Sequence, residues 1–309
     1  MSNSTSCYVK MIREICREEN ISLESFGGDW VFRLERGDKE GYILGYQFGL
    51  NLAVAQQICA DKSAASEVMK AHGIPHVPHH CFMTPEKLKY IDKEGNWEEM
   101  LSVFRMYGDV VVKDNQGTGG ELVYRVRSVD RLEQAAQEIF RTCQSLAISP
   151  YVEIEKEYRV ILLDGEIQLV FHKLRDFVTG DGRSTLRQLY AGHLMGGGAQ
   201  ASIPAGKLEK ILPDGQRHYL NWKHNLGQGA RAVVEEDPAV TGPAVALALR
   251  AARLFGLRFA SVDVIRCSEG LQVLEINPGV MMENLASSSQ ELYRKAKEIY
   301  RRAVLKMLS

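Results

Sequence analysis

The chain has 309 residues, 45% of them hydrophobic and 25% charged, with a net charge of −1. That length can bury a substantial core in two or three lobes, and the near-neutral charge exerts no overall pull towards nucleic acid or an anionic membrane. No apolar run approaches the length of a membrane span, and Met1 to Ser6 has neither the basic nor the apolar part of a leader. Cys7, Cys16, Cys59, Cys81, Cys143 and Cys267 are scattered with no Cys-x-x-Cys pair. Reduced thiols in a cytoplasm explain that pattern better than a disulfide framework or a zinc site.

Tyr8 to Glu18 carries a helical period in Val9, Ile12, Ile15 and Cys16, broken by Gly27-Gly28. Leu50 to Cys59 is helix-prone, and a further helix opens at Asp61-Lys62 and stops at Gly73. In Ile74-Pro75-His76-Val77-Pro78 each proline drives its predecessor out of the helical region, so the segment is an extended connector. His76, His79 and His80 could be read as a transition-metal site. Side chains alternate along an extended segment, however, and no acidic or cysteine partner adjoins them, which favours a plain connector. A helix from about Trp97 to Met106 precedes a strand, Val110 to Lys113. Leu122 to Val126 is the next strand, followed by a helix from about Val129 to Thr142.

Between those two strands lies Gly117-Thr118-Gly119-Gly120. This is neither a Walker loop nor a dinucleotide turn, because no helix follows it directly. Three glycines at a hairpin tip let backbone N–H groups approach phosphate oxygens with no Cβ in the way, and Lys113 supplies a point charge. Taken alone, the segment is equally compatible with a solvated hairpin bearing a surface lysine.

Glu157 to Lys173 reads as a hairpin closed by Asp164-Gly165, with Tyr158, Val160, Leu162, Ile167, Leu169 and Phe171 on one core-facing side. Gly180 to Gly198 is glycine-rich and reads as mobile, with Gly196-Gly197-Gly198 as the hinge of a lid. Pro238 to Phe255 is helical. Phe259 to Gly279 is a second apolar hairpin. Closure through Ser268-Glu269-Gly270 pairs Cys267 with Leu271, which sets Asp263 opposite Glu275 with Asn277 on the same face. Two facing carboxylates destabilise a sheet unless a cation lies between them, and carboxylate and amide oxygens suit Mg²⁺. A solvated hairpin with its charges in water is the competing reading. The tail from Gln290 to Leu308 is an amphipathic helix suited to core or dimer packing rather than to a membrane. Helices mixed with antiparallel hairpins indicate an α+β enzyme.

In this order, from about Cys59 onward, the motifs resemble the ATP-grasp superfamily, whose α+β fold clasps a nucleotide between two lobes. Asp61-Lys62 and Gly73-Ile74-Pro75 match its first lysine and connector, and Lys113 its phosphate lysine before the glycine loop. Ser149-Pro150-Tyr151-Val152 matches the adenine hinge, Glu157 the ribose carboxylate, and Asp263, Glu275 and Asn277 the Mg²⁺ ligands. Val178 to Leu189 resembles the Gly-Asp-Gly-x-Ser-Thr segment in the ATP-grasp modules of cyanophycin synthetases and bifunctional glutathione synthetases. The ribosomal-protein ligases of the superfamily carry an arginine where this chain has Gln228, leaving Lys223 or Arg231 as substitutes.

The resemblance implies residues 1–58 as a short pre-domain, 59–150 as the first lobe and 151–309 as the second. It implies ATP-dependent joining of a carboxylate donor to an amine acceptor through an acyl phosphate, with one or two Mg²⁺ ions or Mn²⁺ in their place. Lys62, Lys113, Gly117, Thr118, Gly119 and Gly120 hold phosphates, while Ser149, Tyr151, Val152 and Glu157 hold the nucleoside. Lys173 and Arg159 face the donor carboxylate or the transferring phosphoryl group, Arg159 being equally readable as an ion-pair partner. Asn225 assists with metal or with the tetrahedral intermediate. Small amino-acid or peptide substrates are expected. The alternatives are addition to a protein or polymer, or a non-catalytic nucleotide-binding regulator. No nucleic acid or membrane partner is implied, and a homodimer is the default.

Overall fold

A computed structural model of the chain describes residues 6–309, apart from 94, 199, 201, 202 and 204. Residues 1–5, which carry most of the leader reading, lie outside the described residues. In chain order the elements are α1 (Cys7–Glu18), β1 (Ser22–Phe26), β2 (Val31–Arg36), β3 (Lys39–Leu44), β4 (Gln47–Phe48), α2 (Ala53–Ala60), α3 (Lys62–Ala71) and β5 (His80–Met83). Then come α4 (Pro85–Leu88), α5 (Trp97–Tyr107), β6 (Val110–Asp114), β7 (Val123–Val126), α6 (Val129–Phe140), β8 (Ser145–Pro150), β9 (Lys156–Leu163) and β10 (Glu166–Leu174). Last are β11 (Phe177–Thr179), α7 (Leu186–Met195), β12 (Arg217–Tyr219), β13 (Arg231–Val234), α8 (Pro238–Leu254), β14 (Phe259–Cys267), β15 (Gly270–Asn277), α9 (Glu283–Ala286) and α10 (Gln290–Met307). The chain forms two compact units, Met1–Val170 with Glu235–Ser309, and Phe171–Val234.

The first unit holds three antiparallel sheets. In β1-β2-β3-β4, the inward residues Phe32, Leu34 and Ile43 are fully buried, as are Met11, Ile12 and Ile15 of α1. The sequence reading placed no strands there. The alternation Phe32-Arg33-Leu34-Glu35, followed by Gly37 at a φ of 62°, was the available signal. A second sheet, β5-β8-β6-β7, turns Val110, Val112, Val126, Leu146 and Ile148 into a core with Leu101 and Phe104 of α5 and Leu132 and Ile139 of α6. Strand periodicity sends the odd-numbered neighbours Val111 and Lys113 to the opposite face.

The third sheet places β14 between β9 and β15. One face carries Tyr158, Val160, Leu162, Val262, Val264, Val273 and Ile276 into a core shared with α2, α3 and α8. Asp164 and Gly165, at φ of 49° and 79°, form the hairpin turn expected of them. Beyond that turn, Val170 rather than Leu169 or Phe171 joins the core of Tyr158, Val160 and Leu162. The strict alternation expected along β10 therefore slips by one residue after Ile167.

A second correction concerns the turn of the β14–β15 hairpin. Cys267 pairs with Gly270, not Leu271, around a two-residue loop. A bulge between Asp263 and Val264 then restores the offset, so that Asp263 does face Glu275. Residues Phe171–Val234 form the other unit, where β13 runs along the end of β10 and β11 pairs with β12 over a small core of Val178, Leu186, Leu212 and Leu220. The glycine-rich stretch expected to be mobile is in part closely packed. Gly180 N donates to Gln216 O at 2.8 Å, and a Cβ on Gly180 would stand 2.2 Å from Pro213 O.

Candidate active site

The polar face of the third sheet is built by register. Arg159, Asp263 and Glu275 form one row across β9, β14 and β15, and Ile161, Ser261 and Asn277 form the next. Facing residues share a side, so Glu157, Arg159, Asp263, Glu275 and Asn277 all lie opposite the apolar core. Arg159 closes a two-pronged ion pair on Asp263, donating from Nε to Oδ1 at 2.8 Å and from Nη2 to Oδ2 at 2.6 Å. Asp263 is 1% exposed, and a buried carboxylate needs such a partner. Of the two readings offered for Arg159, the ion-pair partner is the one seen, in the row that carries the metal candidates.

Lys113 is 7% exposed at the end of β6. Burial pushes its ammonium down to about 8, against the opposing pull of Glu275, Glu157 and Asp263, while Lys62 adds repulsion. The same interactions show that Lys62, Lys113, Glu157, Asp263 and Glu275 gather in one place. Lys62 begins α3, whose first turn is capped by Asp61 accepting from Ala64 N at 2.9 Å. Its ammonium donates to the carbonyls of Gly117 at 2.6 Å and Asn115 at 3.4 Å, which ties the glycine loop to the helix.

Asn115 was missed by the sequence reading. Fully buried, it accepts from Ser63 N at 3.1 Å and Ser63 Oγ at 2.8 Å, and its carbonyl accepts from Lys62 N at 3.1 Å. It thereby joins the two segments that carry the lysines. In the loop, Gly119 and Gly120 have φ of 72° and 76°, and Thr118 and Gly119 are exposed. Leu122 also takes a positive φ, 48°, so the following strand begins at Val123 rather than Leu122.

Past β8, Tyr151 N donates to Asp109 O at 2.9 Å and the Tyr151 ring lies 3.2 Å under the Arg125 guanidinium. Arg125 in turn pairs with Asp109 at 2.7 Å, so the end of the Ser149 to Val152 segment is tied to Asp109 ahead of β6 and to Arg125 of β7 beyond it. Ser149 is buried on the Lys113 side of this sheet, and Val152 is half-buried.

The histidines of the connector are occupied elsewhere. His76 and His79 donate from Nδ1 to Ile74 O and Val77 O, and His80 Nε2 lies 3.1 Å from Tyr107 Oη. Among the described residues no three His, Cys, Asp or Glu gather as a metal site. Asp263 and Glu275 are two carboxylates whose third companion is an amide. The donor set is hard oxygen on adjacent strands, and Asn277 Nδ2 is buried with no hydrogen-bond partner. The oxygen donor set fits Mg²⁺, since a carboxylate retains lone pairs beyond the two that Arg159 uses, whereas the Asn277 amide N–H₂ is a donor that suits an anionic oxygen rather than a cation.

The relatives can now be set beside this geometry. No protein-family model matches the chain. It is 25% identical over 247 residues to a cyanophycin synthetase of Trichormus variabilis, covering 74% of this chain and 26% of that protein. It is 22% identical over 216 residues to the glutathione biosynthesis bifunctional protein GshAB of Lactiplantibacillus plantarum, covering 67% and 27%. Among solved structures, a bifunctional glutathione synthetase from Pasteurella multocida superposes with a TM-score of 0.56 at 16% identity, over 97% of this chain and 44% of that one. The chain has the ATP-grasp fold. It spans about a quarter of the length of the curated relatives it matches, 26% and 27%.

The remaining candidates lie in the unit Phe171–Val234. Lys173 is buried in β10 opposite Ala232, and its carbonyl lies 3.1 Å from His224 Nδ1. Arg231 pairs with Leu174, the adjacent row, so it projects from the opposite face of the β10–β13 pair and is exposed. Asn225 caps a short turn by accepting from Gly227 N at 2.8 Å, and Gln228 Oε1 accepts from Asn221 Nδ2 at 3.5 Å. Within this unit, then, Lys173 and Arg231 do not share a face.

Proposed function

We propose that the chain is an ATP-dependent carboxylate–amine ligase, forming an amide or peptide bond through an acyl phosphate and releasing ADP and phosphate. Small amino-acid or peptide substrates are the favoured class, in a reduced, cytoplasmic setting. The observation that carries the reading is the single row Arg159–Asp263–Glu275, with Asn277 beside it and Lys113 buried near its charges. The lobes proposed for this reading are 1–58, 59–150 and 151–309.

A carboxylate is a poor acyl donor because its leaving group would be oxide. Phosphorylation by ATP replaces that leaving group with phosphate, and an amine can then attack. The residues that support the reading would mainly position reactants and offset charge. Lys62 and Lys113 hold phosphate oxygens, with the exposed tip Thr118-Gly119 offering backbone N–H groups. The Ser149 to Val152 segment, anchored through Tyr151, offers backbone groups to the base, and Glu157 takes the ribose. Asp263, Glu275 and Asn277 would hold Mg²⁺, which when bound supplies charge neutralisation across the phosphates. Arg159 pairs with Asp263 through two hydrogen bonds and holds it in place. Lys173, Asn225 and Arg231 are the proposed donor-side and intermediate-side groups.

The test is phosphate release from ATP, measured with a panel of amino acids and short peptides and with no acceptor. Stimulation by one acceptor class, with a coupled product seen by mass spectrometry, is the expected result. ATP binding without stimulation by any acceptor would favour the regulator instead. Glu275→Gln should abolish metal-dependent turnover while leaving the melting temperature within a few degrees of the parent. Retained turnover would remove Glu275 from the site.

A further inference from the structure

Residues Phe171–Val234 carry a charge that the rest of the chain does not share. They contain nine Lys and Arg against four Asp and Glu, a net of +5 in a chain whose overall charge is −1. Such local asymmetry marks surfaces that meet anions.

Part of the surplus lies on the β11–β12 ribbon, where Phe177 faces Tyr219 and Thr179 faces Arg217. The two sides of the ribbon are unlike. Val178 and Leu220 go inward to the small core, while Phe177, Arg217 and Tyr219 alternate outward, with Arg217 and Tyr219 exposed. Arg175 reaches the same side, its guanidinium 4.0 Å over the Tyr219 ring, and the Arg217 guanidinium lies 4.6 Å over the Phe177 ring. The two rings meet edge-on with centroids 6.0 Å apart. Among the described residues neither guanidinium has a carboxylate at ion-pair distance. Asp176, beside Arg175 in sequence, is turned to His193 Nε2 at 2.8 Å.

Stacking uses the face of a guanidinium and leaves the N–H fork at its edge, which matches a carboxylate with two parallel bonds. Arg175 precedes β11 and Arg217 lies on β12, but each guanidinium covers one ring of the facing Phe177–Tyr219 pair. The ring centroids, 6.0 Å apart, come close to the ~7 Å between side chains at i and i+2 of an extended peptide. We infer that this ribbon face binds an extended acidic peptide, carboxylates on the Arg175 and Arg217 forks and backbone across Phe177 and Tyr219. Single-stranded nucleic acid suits the face less well. Each ring already gives a face to a guanidinium, and the two rings pack edge to face on each other, which leaves little ring surface for a base. The binding stands on the ribbon alone, whereas the peptide's use as a ligation substrate rests on the ligase reading.

Fluorescein-labelled penta-glutamate is titrated into the full chain at low salt and followed by anisotropy, with labelled penta-glutamine and a short oligo-dT as parallel probes. Penta-glutamate binds and penta-glutamine does not. Arg175→Gln and Arg217→Gln each weaken binding about tenfold, the loss of one charge-assisted pair. Arg→Lys at both positions also weakens it, because an ammonium keeps the charge but loses the stack and the fork. Circular dichroism melts matching the parent show that the variants are folded. Separate titration of a fluorescent ADP analogue tests the nucleotide site, so a failure there leaves the peptide result intact. No penta-glutamate binding by the parent, equal binding by the Gln variants, or tighter binding of oligo-dT would each overturn the inference.

Discussion

At Lys113 burial outweighs the attraction of three carboxylates, and the ammonium of the free protein loses its proton as pH rises through about 8, where an ordinary lysine keeps it to 10.5. A bound phosphate favours the charged form and raises the value again. Above about pH 8 the nucleotide-bound state therefore holds more protons than the free state, and ADP affinity falls as pH rises through that window. Calorimetry near pH ~9, in EDTA and in two buffers of different ionisation enthalpy, should show proton uptake on ADP binding. Identical heats in the two buffers would take Lys113 off the phosphates. Lys113 itself was readable as the lysine ahead of a glycine loop. Its burial was not, because the charged groups that act on it belong to α3, β9, β14 and β15. Asn115 was hidden for a similar reason: an Asn before a Gly-rich turn looks like turn chemistry until Ser63 is seen against it.

Among the elements, those with a local signal were legible. The Asp61 cap, the Asp164-Gly165 turn and the amphipathic period of α10 each reside in a few consecutive residues. The β14–β15 hairpin was legible in outcome though not in route, because a tighter turn and a bulge reach the same Asp263–Glu275 pairing as a looser turn without one. The loop after β15 depends on distant elements. Tyr300 Oη accepts from Met282 N at 3.0 Å and donates to Val280 O at 2.8 Å, Val280 N donates to Tyr46 O, and Asn51 Nδ2 donates to Pro278 O at 3.4 Å. Glu283 accepts from Ser6 Oγ and Tyr46 Oη, both at 3.1 Å, so the N-terminal part braces the segment that follows Asn277. Tyr300→Phe strands two buried backbone groups and should cost about 1–3 kcal/mol in urea unfolding. It should also raise the Mg²⁺ concentration needed for half-maximal turnover. A stability loss with unchanged metal dependence would confine Tyr300 to a packing role.

At the scale of the molecule, the two units differ in the core each can bury. Among the described residues, the core that includes the inward side chains of β9, β14 and β15 holds twenty buried residues, whereas that of the β11–β12 ribbon holds four. Local opening costs least where the fewest apolar contacts must be broken. Hydrogen exchange followed by mass spectrometry should find amides of β11 and β12 exchanging at least about tenfold faster than those of β9 and β14. Equal protection would mean that the two units open together. No helix among the described residues is long and apolar enough to cross a membrane, and all six cysteines are free thiols.

Periodicity, caps and turns act over a handful of residues, so the amino-acid order by itself determined most helices, both long hairpins and the identity of the charged groups on them. Tertiary structure alone decided that Arg159 stands beside Asp263, 104 residues away in the chain. It also decided which side of each strand became the polar one. A side chain's alternation is local, but the face that ends up buried depends on which strand and which helix arrive next to it, and those neighbours are distant in sequence.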